Sequence, residues 1–254
     1  MPSLDSSNRP PPSTSGSRHG GLFPQTQWSL IRRVQHGDET QRREGMEILC
    51  TAYWKPVYAW LRARGSSPED AEDLTQEFFS RLIAGDWLAE VSAEKGRLRS
   101  FLLVLLKRHA ANVWEFSQAK KRGGGCVIFR LDAGDAETAW KNLPADGVSP
   151  DVIFDRQWAL QLLDGVMQGL RDTYAKAGKT DLFDELRGYI TGGSADESYG
   201  ASALRLGMNE GTVKVAAFRL RERYRDRLRA AVLETVESPG GVAEEIAWLF
   251  RVFQ

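Results

Sequence analysis

Cysteine and histidine are scarce in this chain, with two and three copies in 254 residues. Cys50 and Cys126 fall in very different contexts and are too few for a disulfide framework or a zinc site, which predicts a reducing, cytoplasmic setting. His19, His36 and His109 are scattered, and neither a nucleophile–base pairing nor a phosphate loop is visible, so no catalytic activity, metal or cofactor is expected. Long apolar runs are missing as well. LLVLL at 102–106 is far short of the roughly 20 residues of a membrane span and runs into Lys107 and Arg108, so no membrane partner is expected. Nor is there an excess of one charge: 34 Lys and Arg balance 34 Asp and Glu, and whole-chain electrostatics do not announce a nucleic-acid partner. Two-residue alternation is nearly absent. What remains is helical spacing, and the predicted fold class is all-α.

The expected organisation is two small helical domains joined by a flexible linker. Residues 1–25, rich in Pro, Ser and Gly without an apolar signal core, read as a disordered tail. The first domain, 26–122, begins with a helix near 27–36 carrying Trp28, Ile31 and Val34. A second helix at 39–64 places Met46, Leu49, Tyr53, Val57, Trp60 and Leu61 on one stripe, with Pro56 as a kink or a break. Ser67-Pro68 reads as a cap followed by Pro at the first helical position, opening a third helix to about Ile83. A fourth starts near Arg97. Residues 123–151, from GGG through Pro144 and Pro150, read as the linker. The second domain, 152–234, opens on Ile153 to Tyr174 and continues through Leu182 to Tyr189. A helical extension at 235–254 carries Ile246, Leu249, Phe250 and Phe253.

Balanced overall, the charge is segregated locally. Glu69, Asp70, Glu72, Asp73 and Glu77 form an acidic block without a basic residue inside it. In DAEDLTQEFFSRLI (70–83), Asp70, Asp73 and Glu77 recur at steps of three and four and line one stripe, with Leu74, Phe78 and Leu82 on another. Neither a histidine nor a second carboxylate cluster completes a catalytic or metal site there, which leaves a solvated face or a docking surface for a basic partner. The next helix mixes basic and aromatic residues. Lys107, Arg108, Asn112, Gln118, Lys120, Lys121 and Arg122 supply donors for phosphates and base edges. Trp114 and Phe116 either finish the core or offer platforms for unstacked bases.

Residues 199–228, YGASALRLGMNEGTVKVAAFRLRERYRDRL, have the layout of a helix-turn-helix. Gly207 stands where the first helix must end and the chain turn, and Asn209 is placed to cap the second. Val213, Ala217, Leu220, Tyr224 and Leu228 form its apolar stripe. Thr212, Lys214, Arg219, Arg221, Arg225 and Arg229 occupy the other faces.

Taken together and in this order, the motifs resemble the extracytoplasmic-function (ECF) sigma factors, the compact two-domain specificity subunits of bacterial RNA polymerase. YWKPVYAWLRARGSSPEDAEDLTQEFFSRL resembles the family's first conserved region, FLLVLLKRHAANVWEFSQAKKRGGG its promoter-melting helix, and YGASALRLGMNEGTVKV its C-terminal helix-turn-helix. The likeness spans about residues 27 to 234. It implies that the partners are core RNA polymerase and promoter DNA, duplex at the −35 region and single-stranded at the −10 region, with an anti-sigma factor as a further candidate. It places Asp70, Glu72, Asp73, Gln76 and Glu77 on the polymerase clamp, and Lys107, Arg108, Asn112, Trp114, Lys120, Lys121 and Arg122 at the −10 region. Glu210, Gly211, Thr212, Lys214, Val215, Phe218 and Arg219 fall at the −35 region. The acidic linker is expected to thread the polymerase's basic cleft.

Three departures from the family pattern stand out. Ser202 replaces a buried aliphatic residue, Phe218 replaces a polar one, and the stretch 175–197 is longer than usual. Phe218 either touches thymine methyls or turns inward to compensate for Ser202. A second reading of the whole chain is a stand-alone DNA-binding regulator that dimerises through the stripe at 246–253.

Overall fold

The computed structural model describes residues 27–84, 86–88, 97–117, 133–143, 147–191, 198–236 and 238–254. All regular structure among them is helical, in eleven α-helices and two 3₁₀ turns. The helices are α1 (Gln27–His36), α2 (Glu39–Ala63), α3 (Pro68–Ala84), α4 (Leu98–Ser117), α5 (Ala133–Lys141), α6 (Pro150–Lys176), α7 (Thr180–Leu186), α8 (Gly188–Thr191), α9 (Tyr199–Leu206), α10 (Glu210–Leu233) and α11 (Val242–Arg251). No described helix is long and apolar enough to cross a membrane.

Local chemistry sets most boundaries. Asp38 and Gln41 close a capping box at the start of α2, each side chain accepting the other's backbone N–H, at 2.8 and 3.2 Å. The Ser67 hydroxyl accepts from the Asp70 amide at 3.1 Å, capping α3 ahead of Pro68. Ser149 caps α6, with Pro150 following. Pro56 neither breaks α2 nor ends it; the helix runs on through it as a buried residue.

Buried α2 organises the larger core. Leu49, Tyr53, Val57, Trp60 and Leu61 are sealed against α1, α3, α4 and the first half of α6, where Phe154, Trp158 and Leu162 sit. Cys50 lies in the same layer, and burial pushes its thiol pKa up to about 12, so it is an inert apolar side chain. A smaller core joins Leu170 and Tyr174 of α6 to Phe183 and Leu186 of α7, Ala203 of α9, and Val213, Ala217 and Leu220 of α10.

Two long helices belong to both cores. The 27 residues of α6 span about 40 Å at 1.5 Å per residue. Its first half completes the larger core and its second half the smaller one. Likewise α10 places Val213 to Leu220 in the small core and Leu228, Ala231 and Val232 in the large one. Separation by a linker ending at residue 151 is therefore not what the packing shows. The expected linker also contains α5, whose Ala136 is buried. The reason is electrostatic as well as apolar: Glu137 takes a bidentate bond from Arg62 at 2.9 and 3.1 Å and accepts from the Tyr58 hydroxyl at 2.7 Å.

Candidate polymerase and nucleic-acid interface

On α3 the amphipathic split is as the spacing predicts. Ala71, Thr75, Phe78, Phe79 and Leu82 are buried, while Asp70 and Asp73 are exposed and Glu72, Gln76 and Glu77 half-exposed. Their bonds are local: Asp70 accepts from the Ser67 hydroxyl at 2.9 Å, Glu72 from Gln76 at 3.3 Å, and Glu77 pairs with Arg81 at 2.7 Å. Exposed pairs of this kind are worth little, so the stripe keeps its acidic character toward solvent.

Behind α3, α4 buries Leu98, Leu102, Leu105, Leu106 and Ala110. His109 is inside too, against Phe78 at 5.9 Å between ring centroids, and burial pushes its pKa down, leaving a neutral imidazole. Lys107 and Arg108 are exposed on the outer side. The Lys107 ammonium pairs with Asp151, which also accepts from the Trp60 indole N–H at 3.1 Å. Burial alone would raise the Asp151 pKa; the bonds from Lys107 and Trp60 instead hold it below the usual carboxylate range. The backbone of Asn112 and Trp114 lies on α4, their side chains are outside the described residues, and so are Lys120, Lys121 and Arg122 altogether.

At the start of α4 the cations turn inward, which sequence reasoning missed. Arg99 is only 3% exposed, held between the indoles of Trp158 and Trp248 at 4.7 and 3.7 Å and paired with Glu245 of α11. Asp155 of α6 lies 3.6 Å from the same guanidinium, and burial pushes its pKa up to about 6. Arg99 and Glu245 are 146 residues apart, so no spacing rule connects them.

The helix-turn-helix is built by its turn. Gly207 adopts φ +62°, the left-handed conformation that a glycine takes without Cβ strain, and the Met208 amide reaches back to the Ala203 carbonyl at 2.9 Å. Asn209 then accepts from both the amide and the hydroxyl of Thr212, at 2.7 and 2.8 Å, and starts α10. With Val213, Ala217 and Leu220 buried, all seven positions assigned to the −35 region (Glu210, Gly211, Thr212, Lys214, Val215, Phe218 and Arg219) lie exposed. Phe218 is 58% exposed, which excludes the inward reading: it does not fill space near Ser202. That space is filled otherwise. Ser202 is buried with its hydroxyl 2.9 Å from the Tyr189 hydroxyl, and the Tyr189 ring stacks on Tyr199 at 4.7 Å. The long stretch 175–197 thus supplies Phe183, Leu186 and Tyr189 to the domain that carries the turn.

The described carboxylates of the acidic run that was expected to thread a polymerase cleft are all paired within the chain itself. Asp135 pairs with Lys55 at 2.6 Å, Glu137 with Arg62, Asp151 with Lys107 and Asp155 with Arg99; Asp132 and Asp146 lie outside the described residues. Intramolecular cations reach these carboxylates because α5 and α6 pack along α2 and α4. Among the described residues no group of three or more His, Cys, Asp or Glu is arranged to hold a metal ion. Comparison with models of known protein families, with curated proteins and with solved structures finds no match to this chain.

Proposed function

We propose that this chain is an RNA polymerase sigma factor that docks core polymerase through α3, opens the −10 region with α4 and reads the −35 duplex with α10. The observation that carries the reading is the α9–turn–α10 unit. Its packing stripe is buried, and its outward face presents Lys214, Arg219, Arg225 and Arg229 together with the apolar Val215 and Phe218. Cations meet phosphates, and an exposed ring beside them suits the 5-methyl group of thymine. An acidic stripe on a separate helix gives the second partner its surface, and a repressor has no use for it.

A stand-alone dimeric regulator is the weaker reading. Of the apolar stripe offered for dimerisation, Leu249 is buried within the chain and Ile246 half-buried against it, leaving Phe250 and Phe253.

Run-off transcription with purified core bacterial polymerase on a library of genomic fragments tests the proposal. Discrete transcripts that require this chain and share an upstream motif pair are expected. A chain that neither co-migrates with core polymerase nor yields transcripts refutes it. Reversing charge at the exposed stripe (Asp73→Lys with Glu77→Lys) is expected to abolish co-migration while the circular dichroism spectrum stays native.

A further inference from the structure

Arginine is seldom buried beside two carboxylates unless a structure has a use for charge there, because apolar packing of similar volume is often as stable or more so. Yet α11, which is apolar enough to dock by packing alone, is fastened to the rest of the chain by charge. Glu245, wholly buried, pairs with Arg99 and lies 3.0 Å from the Arg97 guanidinium; Glu244 stands 3.9 Å from Arg97. The far end is tied as well, the Arg156 guanidinium of α6 donating to the Val252 carbonyl at 2.7 Å. Two turns along α4, Asp151 of α6 takes Lys107, and between them Asp155 faces Arg99. Arg97, just before α4, and Arg99 and Lys107 in its first half thus have four carboxylates over them, all supplied by α6 and α11.

We propose that α11 and the first turns of α6 form an autoinhibitory clamp on α4, in which Asp151, Asp155 and Glu245 occupy the cations that phosphates would otherwise take. The inference rests on the reading of α4 as the helix that meets separated DNA strands. A clamp made of ion pairs is opened by competing charge, which a purely apolar clamp would resist. Opening it frees Lys107 beside the already exposed Arg108 and releases the α11 end of the chain. The clamp thereby couples DNA engagement by α4 to the position of the C-terminal helix.

The test uses the full-length chain and a fluorescent single-stranded oligonucleotide, read by anisotropy at fixed salt. Asp151→Asn, at a half-exposed site that the fold tolerates, is expected to tighten binding about three- to fivefold, the worth of one partly exposed ion pair. Glu245→Gln is expected to tighten it about tenfold, and to raise hydrogen exchange in α11. Adding Lys107→Ala to Asp151→Asn must erase the gain, whereas Asp181→Asn, which removes the same charge on α7, must leave binding unchanged. Unaltered or weaker binding by Asp151→Asn, or an equal gain in Asp181→Asn, overturns the clamp. If polymerase-dependent transcripts appear while the variants bind no tighter, the clamp fails and the sigma reading stands. If the variants tighten binding through Lys107 but no chain ever yields a transcript, the clamp stands and the sigma reading fails.

Discussion

Two basic helices, α4 and α10, have opposite fates in this molecule. Both are long and amphipathic, and both carry several cations. On α10 those cations look outward: Lys214 takes its carboxylate partner locally, from Glu210 one turn away at 2.7 Å, and Arg219 is exposed. On α4 the cations are met by carboxylates from far away in sequence, Asp151 at 44 residues from Lys107 and Glu245 at 146 from Arg99. Residue type is the same in both helices. What differs is which element packs alongside, and hence whether a charge is an exposed tool or an internal fastening.

The largest effect that can break this comparison is expected at Arg99. Arg99→Ala takes from Asp155 its cation and leaves the buried Glu245 with Arg97 alone, and should lower the unfolding free energy by about 3 kcal/mol. The matched Arg219→Ala on α10 should change it by less than about 0.5 kcal/mol. Urea unfolding followed by circular dichroism separates the two; equal losses would mean that the helices are not different in kind.

Function is expected to divide the other way. Phe218→Ala should weaken binding of promoter-length duplex by the polymerase-bound chain by about 1–3 kcal/mol, most for sites carrying thymine in the −35 region. Arg219→Ala should lower the salt dependence of binding by about one counterion, equally for all sequences. Loss of sequence preference in the second variant but not the first would reverse the roles of these two side chains.

The fastenings themselves differ in their response to pH. Asp155 has its pKa raised from 3.8 to about 6 by burial, the nearby Arg99 offsetting only part of this. A raised carboxyl favours the folded state while protonated, so its contribution is fully present below about pH 4 and is lost as pH rises through about 6, at a cost on the order of 3 kcal/mol. Glu137 is the reverse. The bond from Arg62 holds its pKa below 4.5, so its stabilisation is present above that value and is lost as pH falls. Between about pH 4 and 7, Asp155→Asn should flatten a decline in the urea midpoint, and below about pH 4.5 Glu137→Gln should flatten a loss. Identical pH profiles for the two variants would show that α5 and the start of α6 are held in the same way.

A modest loss is expected at the turn. Gly207→Ala forces a Cβ into the left-handed region, and should cost about 1–2 kcal/mol with nothing else in the way. Gly207→Asn should recover part of it.

Local rules make much of this legible. Spacing of Leu49, Tyr53, Val57, Trp60 and Leu61 marks the buried stripe of α2, Ser67-Pro68 marks the start of α3, and Gly207 with Asn209 marks the turn before α10. Each is an interaction within about four residues, where side-chain identity and helix geometry leave little choice. Within the stretch 123–151, residues 133–141 mislead for the same reason. Their composition is that of a linker, and only Arg62, Tyr58 and Lys55, presented by another helix, make α5 worth forming.

The sequence by itself determined that the chain is helical, where most helices begin and end, and which flank of α3 and α10 faces outward, because these follow from periodicity and capping. The tertiary structure alone decided that Phe218 stays exposed while Tyr189 accommodates Ser202, that α6 serves two cores, and that Arg99 of α4 is buried while Lys107 pairs with Asp151. Those outcomes depend on contacts between residues tens to more than a hundred positions apart, and a buried charge takes whichever partner the packing brings to it.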